Sequence, residues 1–170
     1  MNFLFTLLLL GSLAAPGGRI AILDKVPGHR VSFDYSYALS KDGKPAETVT
    51  GGKVTVEGNC FIMTGLDLEV RSDGATRWTI DPGAKEVVIE NIDKEDLFTN
   101  PALFINSYPQ YRDRLTVHSE GQDSLDITLT LDENTSCRFR LSGVRFSDPL
   151  GTGDIPPSPF DSSWIVTDLR

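Results

Sequence analysis

The stretch RSDGATRWTIDPGAKEVVIE, residues 71–90, decides the fold class of this chain. Two groups within it, Asp73-Gly74 and Asp81-Pro82-Gly83, have the composition of tight turns, because aspartate, proline and glycine supply the backbone angles that hairpins need. Between these turns, Trp78 and Ile80 fall on one face of a short strand. The stretch therefore predicts three antiparallel strands, with a large aromatic side chain on the middle one.

Alternation of apolar and polar residues continues on both sides of this stretch. It indicates antiparallel strands that have one apolar and one solvated face. We count about eight or nine strands and no internal repeat. One strand is predicted to run from Val54 through Ile62, with an irregularity at Gly58-Asn59. The apolar positions of the other clear strands are Val31, Phe33, Tyr35, Tyr37 and Leu39 upstream, and Leu125, Ile127, Leu129, Leu131, Cys137, Phe139 and Leu141 downstream.

Helix is predicted in only two places. The first is residues 19–26, which are followed by Pro27-Gly28 as a stop signal. The second is residues 93–107, where Asp93 begins one turn and Asn100-Pro101 has the favoured order for beginning another. This second segment is strongly apolar and has to bury its surface. We expect it to cover the concave face of a curved sheet.

Length and charge limit the classes of function. The chain has 170 residues, enough for one domain with a sizeable core. It carries 16 lysines and arginines against 24 aspartates and glutamates, a net charge of −8. An acidic domain without a basic stripe is a poor binder of nucleic acid, because phosphate contacts need clustered basic side chains. Binding to anionic membrane surfaces is disfavoured for the same reason.

The first fifteen residues have the features of an export signal. A mostly apolar run, residues 3–10, leads to Ala14 and Ala15, which are spaced for signal peptidase. The run is too short to span a bilayer, which needs about 20 apolar residues. We expect residues 1–15 to be a signal peptide, cleaved near Ala14 or Ala15, and residues 16–170 to be one soluble, exported domain. The alternative is a buried N-terminal helix.

The sequence contains no catalytic motif. It has no Gly-x-Ser-x-Gly, His-Glu-x-x-His or Cys-x-x-Cys pattern and no phosphate-binding glycine-rich loop. Its two histidines, His29 and His118, do not have the spacing of metal ligands. Asp93, Glu95 and Asp96 are interpreted as helix-start residues that favour the helix dipole. We expect the protein not to be an enzyme and to need neither a metal nor a cofactor.

Two cysteines, Cys60 and Cys137, lie in predicted strands 77 positions apart. A bridge between them would agree with an oxidising compartment and would contribute about 4 kcal/mol on the chain-entropy model. The alternative is two small buried apolar side chains. The sequence leaves both open.

The unit of turn, strand and turn resembles a known signature. Ser72-Asp73-Gly74, Trp78, Asp81-Pro82 and the strand at residues 86–89 resemble the periplasmic lipoprotein carriers, the LolA-like family. The resemblance covers most of the chain after the predicted signal peptide. The other segments that match in the same order are residues 23–26 leading to Ser32-Phe33, residues 52–56, residues 100–104 and residues 165–170.

The resemblance implies a fold and a function. The fold is mainly antiparallel β with short helices (α+β): an unclosed, strongly curved β-barrel with helices covering its concave face. The function is that of a periplasmic chaperone in protein transport. Such a monomeric carrier holds the acyl chains of a lipoprotein and shuttles them from an inner-membrane exporter to an outer-membrane acceptor. Family carriers place a basic residue before a proline in the second strand, where this chain has Glu57-Gly58-Asn59.

The same resemblance indicates a ligand site and a moving cover. An apolar cavity is enough to hold an acyl chain, because each methylene removed from water gains about 0.8 kcal/mol. Without the basic residue, we expect apolar docking alone to hold down residues 93–107, which makes this segment loose in the empty protein. The residues predicted to contact ligand are Phe33, Tyr35, Tyr37, Phe61, Met63, Trp78, Ile80, Phe98, Leu103 and Phe104.

Two other hypotheses remain beside the lipoprotein carrier. One is an envelope domain on the same scaffold that senses lipid, or binds a partner protein, and shuttles nothing. The other is a filled core without a usable cavity. Bulky residues such as Phe33, Trp78 and Phe104 are numerous for so small a domain, which favours a cavity over a filled core.

Overall fold

The computed structural model describes residues 19–44, 47–93, 97 and 100–170, apart from the side chains of residues 48 and 49. The predicted signal peptide, residues 1–15, and one predicted ligand residue, Phe98, lie outside the described residues. The first turn predicted at Asp93 to Asp96 falls largely outside them too.

Ten strands form one mainly antiparallel sheet in the order β10-β6-β5-β4-β3-β2-β1-β9-β8-β7. The sheet does not close, so the predicted fold class, an unclosed barrel with short helices, is confirmed. The bounds are β1 (Arg30–Lys41), β2 (Glu47–Glu57), β3 (Cys60–Gly65), β4 (Leu68–Ser72), β5 (Thr76–Asp81), β6 (Glu86–Asn91), β7 (Leu115–Glu120), β8 (Leu125–Thr130), β9 (Thr135–Ser147) and β10 (Ile165–Asp168), with helices α1 (Ala21–Asp24) and α2 (Pro101–Ser107) and 3₁₀-helices at Tyr108–Arg114 and Thr152–Asp154.

The stretch at residues 71–90 forms the predicted double hairpin. At its first turn, the Asp73 carboxylate accepts hydrogen bonds from the backbone N–H groups of Ala75 and Thr76, at 2.9 and 2.7 Å. At its second turn, the Asp81 carboxylate accepts one from the N–H of Ala84 at 2.8 Å. Both aspartates therefore satisfy backbone donors that the turns leave without strand partners.

The strand predicted from Val54 through Ile62 is in fact a hairpin. β2 ends at Glu57, β3 begins at Cys60, and these two residues are opposite each other in the register. Gly58 takes up the turn with a φ of 58°, a left-handed conformation that glycine adopts without steric cost. This division and the short C-terminal strand bring the total to ten strands.

β2 and β3 approach each other unusually closely at Gly52. A Cβ atom on Gly52 would lie 1.7 Å from the carbonyl oxygen of Thr64, and one on Gly65 would lie 2.6 Å from the carbonyl oxygen of Gly51. Any side chain at position 52 would therefore collide with backbone. These glycines let the two strands approach more closely than side chains permit, as at sharp bends of sheets.

Other elements pack against both faces of the sheet. We call the face that carries Phe33, Val54 and Met63 the inner face, because α2 packs against it on β2 and β3. The main core lies between this face and the helices. On the opposite, outer face lie residues 148–164, here called the outer segment. They form hydrogen bonds with Glu57 of β2 and Arg71 of β4 and lie near Ile80 of β5, and Ile155 is completely buried.

The first helix is shorter than predicted, and the second piece of the other predicted segment is present. α1 covers four residues of the segment predicted at 19–26. α2 begins as predicted, since the side chain of Asn100 accepts a hydrogen bond from the N–H of Leu103 at 2.9 Å and Pro101 is the first helical residue. Within the described part of the chain, no helix has the length and apolar character needed to cross a membrane.

The two cysteines are both free thiols. Cys137 is opposite Leu129 and two positions before Phe139, so it lies on the inner face. Cys60 is adjacent to Phe61, an inner-face residue, and therefore points to the outer face. The sheet itself separates the thiols, which decides between the two alternatives in favour of two buried side chains.

Candidate functional site

A small apolar cavity lies between α2 and the inner face. Its volume is about 40 Å³, room for little more than a water molecule or two. Ligand sites for small molecules are typically about 300–1,000 Å³. The observed space is therefore much smaller than a typical ligand site. The residues that line it are Phe33, Tyr35, Tyr37, Val54, Met63, Leu97, Pro101, Phe104, Ile105, Phe139 and Leu141.

Aromatic rings form the wall where α2 meets the sheet. The ring of Phe104, on α2, stacks on that of Phe139 with centroids 5.1 Å apart and an interplanar angle of 24°. The ring of Tyr37 is next to Phe139 at 6.1 Å. Tyr37 and Phe139 are in contact because the strand register places Tyr37 on β1 directly opposite Phe139 on β9.

The described lining residues include no charged side chain. Only the hydroxyl groups of Tyr35 and Tyr37 add polarity. Burial raises the pKa of the Tyr35 phenol, and a hydrogen bond with Thr50 opposes that rise. A site of this kind offers contact area and almost no directional recognition, which suits an aliphatic chain better than a polar ligand. Among the described residues there is no group of acidic, histidine and cysteine side chains that could hold a metal.

A hydrogen bond joins α2 to the hairpin turn between β2 and β3. The side-chain amide of Asn106 donates to the carbonyl oxygen of Gly58 at 2.8 Å and reaches the side-chain oxygen of Asn59 at 3.4 Å. The expectation that apolar docking alone holds this segment is therefore corrected. The donor of this hydrogen bond is on the helix and the acceptor is in the turn.

The other side of the same turn holds the outer segment. The buried carboxylate of Glu57 accepts hydrogen bonds from the backbone N–H groups of Leu150 and Gly151, at 3.2 and 2.9 Å. Arg30 is 3.4 Å from Glu57 and binds Asp154 with two hydrogen bonds, at 3.0 and 2.7 Å. This guanidinium keeps the pKa of the Asp154 carboxyl below its usual range.

Five of the predicted ligand residues line the cavity: Phe33, Tyr35, Tyr37, Met63 and Phe104. Two more are close to it but do not line it. Phe61 lies on the inner face and is fully buried in the core. Leu103, on α2, lines a separate cleft that also contains Asn59 and Gly74.

Trp78 and Ile80 do not lie in this cavity, contrary to the expectation that they line it with Phe33. Across the paired strands, Trp78 is opposite Arg71, which is opposite Ile62. Ile62 neighbours Phe61 in the chain and therefore points to the outer face. Ile80, two residues after Trp78, is buried on that same outer face, near the outer segment.

Six lining residues were not among the predicted ligand residues. Phe139 and Leu141 belong to a strand whose alternation was recognised, so a prediction of which strands neighbour β1 would have included them. Leu97, Pro101 and Ile105 belong to the apolar segment predicted to cover the sheet. Val54 is opposite Phe33 in the register.

Comparison with known proteins supports the fold. The sequence matches no family model and no curated protein. The structure resembles that of a LolA superfamily protein from Nitrosomonas europaea, with a TM-score of 0.50 and 9% identity over 81% of this chain and 96% of that one. An uncharacterized conserved protein from Thermus thermophilus gives a TM-score of 0.46 and 10% identity over 87% and 97%. The first of these two structures, together with the unclosed antiparallel sheet, shows that the chain has a LolA-like fold.

Proposed function

We propose that this protein binds the acyl chains of lipoproteins in the cavity beneath α2 and carries them through the periplasm, from an inner-membrane exporter to an outer-membrane acceptor. The observation that supports this most directly is the chemistry of the lining. It consists of aliphatic and aromatic side chains under a helix of seven residues, with no charged group among the described lining residues. The LolA-like fold agrees with such a role.

The mechanism requires α2 to move away from the sheet. At about 40 Å³ the cavity cannot take an acyl chain while Phe104 and Ile105 are docked. A helix of seven residues is unstable in water on its own and depends on its apolar face for stability. An incoming acyl chain replaces those lost contacts, because each of its methylenes gains about 0.8 kcal/mol on leaving water.

In this proposal the protein provides a binding surface and no catalyst. Cargo is released without any bond being broken, so neither a nucleophile nor a general base is needed. The predicted signal peptide at residues 1–15 would deliver the chain to the periplasm, the compartment in which such cargo has to be shielded from water.

Native mass spectrometry of the protein purified from the envelope of its own host tests ligand binding. We expect a fraction of the molecules to carry an additional mass equal to a lipid or an acylated protein. Protein that is always free of such a mass, and that does not bind a long-chain acyl probe, would favour the filled-core hypothesis.

A capture assay then separates a carrier from a lipid sensor. Membranes that contain a newly acylated lipoprotein are incubated with the purified protein, and the soluble fraction is assayed for released lipoprotein. We expect release that depends on the protein and increases with its concentration. Binding of free lipid without any release of lipoprotein would instead support a sensing role.

A further inference from the structure

The two edges of the ten-stranded sheet differ in chemistry. At the β7 edge, the residues from His118 to Glu120 are exposed and polar, and the pairing with β8 is irregular between Val117 and Ser119. Polar side chains and bulges of this kind protect sheet edges from other strands. At the β10 edge, Ile165, Val166 and Leu169 are 60%, 48% and 63% exposed. The pairing of β10 with β6 has no such irregularity, and three of the five exposed residues from Ile165 to Leu169 are apolar.

Two residues of β10 have backbone groups that point away from β6, and no partner for these groups lies within the described residues. The N–H groups of Ile165 and Leu169 donate to the carbonyl oxygens of Lys85 and Ile89, on the side of β6, at 2.9 and 2.8 Å. Because backbone groups alternate along a strand, those of Val166 and Asp168 point away from β6. They are therefore positioned to pair with a further strand.

The negative charge of Asp168, the one charged residue within β10, is compensated by the neighbouring Arg170. The side chain of Arg170 donates to the Asp168 carboxylate with two hydrogen bonds, at 3.0 and 2.6 Å, and these hydrogen bonds lower the pKa of that carboxyl to about 2. A lone charge on an edge strand would repel a like charge on an approaching copy. Here the compensated carboxylate removes most of that repulsion.

The edge is complementary to itself. Thr167 is opposite Val88 of β6, so Ile165, Thr167 and Leu169 share the inner face by alternation. An antiparallel pairing centred on Thr167 places Ile165 opposite Leu169 of a second copy, and Leu169 opposite its Ile165. In the same register Val166 is opposite Asp168 of the second copy, and these are the residues whose backbone groups point outward.

We propose that the β10 edge is an interface between two copies of this chain, which pair antiparallel about Thr167. The pairing is symmetric, since the same patch serves both copies. Because it involves a short strand alone, we expect it to bury less than the roughly 1,000 Å² of stable interfaces and the dimer to be weak and dependent on concentration. The monomer expected from the sequence is then the form in dilute solution. The inference does not depend on the proposed function.

Sedimentation equilibrium over protein concentrations of about 5 to 500 μM tests the proposal. We expect the unaltered protein to shift from monomer to dimer within this range. The double variant Ile165→Lys/Leu169→Lys places lysine opposite lysine and should weaken dimerisation about tenfold or more. In Ile165→Lys/Leu169→Glu, each lysine is opposite a glutamate of the other copy, so dimerisation should recover. Unchanged melting temperatures will show that the exposed substitutions leave the fold intact.

Cysteine crosslinking provides a second measurement of the register. Thr167→Cys places two thiols directly opposite each other, and mild oxidation should give a covalent dimer. Val166→Cys is the control, since its opposite residue is Asp168 and it should crosslink far less. Three outcomes would overturn the proposal. The unaltered protein could stay monomeric throughout the concentration range, or the lysine–glutamate variant could dimerise no more strongly than the lysine–lysine variant. The third outcome is equal crosslinking at positions 166 and 167.

Discussion

The side-chain amide of Asn106 and the carbonyl oxygen of Gly58 are 2.8 Å apart, and this contact joins the helix over the cavity to the turn between β2 and β3. Glu57, the residue before Gly58, holds the outer segment through two backbone hydrogen bonds. One hairpin turn thus contacts the covering elements on both faces of the sheet. Changes at this turn are expected to affect the docking of α2.

Asn106→Ala should loosen α2 in the empty protein. A net hydrogen bond contributes about 0.5–1.5 kcal/mol, so amide exchange in residues 101–107 should become about two- to tenfold faster. Hydrogen exchange followed by mass spectrometry measures this. Gln110→Ala, an exposed substitution in the following 3₁₀-helix, is the control and should leave the rates unchanged. Equal exchange in all three proteins would mean that this hydrogen bond contributes nothing to docking.

A long-chain acyl ligand should slow exchange across the described part of the predicted cover, Leu97 and residues 100–107. Ligand that fills the cavity gives α2 a complete apolar surface on which to dock, and opening then requires the ligand to be exposed as well. Exchange is measured with and without the ligand. Strong and equal protection in both states would show that the segment is fixed core, and the moving cover would have to be abandoned.

Trp78→Ala and Leu97→Asp should separate stability from binding. Trp78 is half-buried on the outer face, so its loss should lower the free energy of unfolding by about 1–3 kcal/mol and leave affinity for an acyl probe unchanged. Leu97 lines the cavity, and a carboxylate there should weaken binding of the probe at least about tenfold. The reason is that the charged group would lose its hydration when the probe binds. Denaturant titration and probe fluorescence measure the two effects. Loss of binding in Trp78→Ala alone would place the ligand on the outer face.

Gly52→Ala should be strongly destabilising. Its Cβ atom would lie 1.7 Å from the carbonyl oxygen of Thr64, and backbone cannot move aside as a flexible side chain can. We expect a loss of about 3 kcal/mol or more in the free energy of unfolding, measured by denaturant titration. Gly153→Ala is the matched control, since its Cβ atom would meet nothing within 4 Å. Similar stability of both variants would refute the close approach of β2 and β3.

Cys60 and Cys137 should remain thiols in protein exported to an oxidising compartment. Mass spectrometry under non-reducing conditions should find both thiols free, because the sheet lies between them. Burial raises the pKa of Cys137 to about 12, and the thiolate is the reactive form. Alkylation of Cys137 near pH 8 should therefore follow unfolding and not precede it. A bridge between the two residues would contradict the register of the strands.

The alternation of residues predicts much of this fold, but it does not predict how the strands face one another. Trp78 and Ile80 do share a face, as their spacing indicates. Which face that is depends on every turn and every strand register between β1 and β5. A shift of one residue in a register moves all side chains of that strand to the opposite face of the sheet. The outer segment could not be predicted either, because residues 148–164 are irregular and rich in proline and have no periodic pattern.

Local signals predict the helix over the cavity more successfully. Asn100-Pro101 marks the beginning of α2 through chemistry that acts within one turn, so it can be recognised without knowledge of any distant contact. The hydrogen bond from Asn106 to Gly58 joins residues 48 positions apart and has no pattern in the sequence. The sequence therefore predicts part of the apolar wall of the cavity, but it does not predict the hydrogen bond that joins α2 to the turn.

In the proposed carrier, the small volume of the cavity has a consequence for the affinity for cargo, because α2 has to open before an acyl chain can bind. If the closed form dominates in the empty protein, the apparent dissociation constant equals the intrinsic constant divided by the fraction of open molecules. An equilibrium of one open molecule in about a hundred would weaken binding about a hundredfold, or about 2.7 kcal/mol. If the proposed function holds, each contact that docks α2, including the Asn106 hydrogen bond, would favour delivery at the expense of capture. An acceptor would then need only a modest intrinsic advantage to receive the acyl chain.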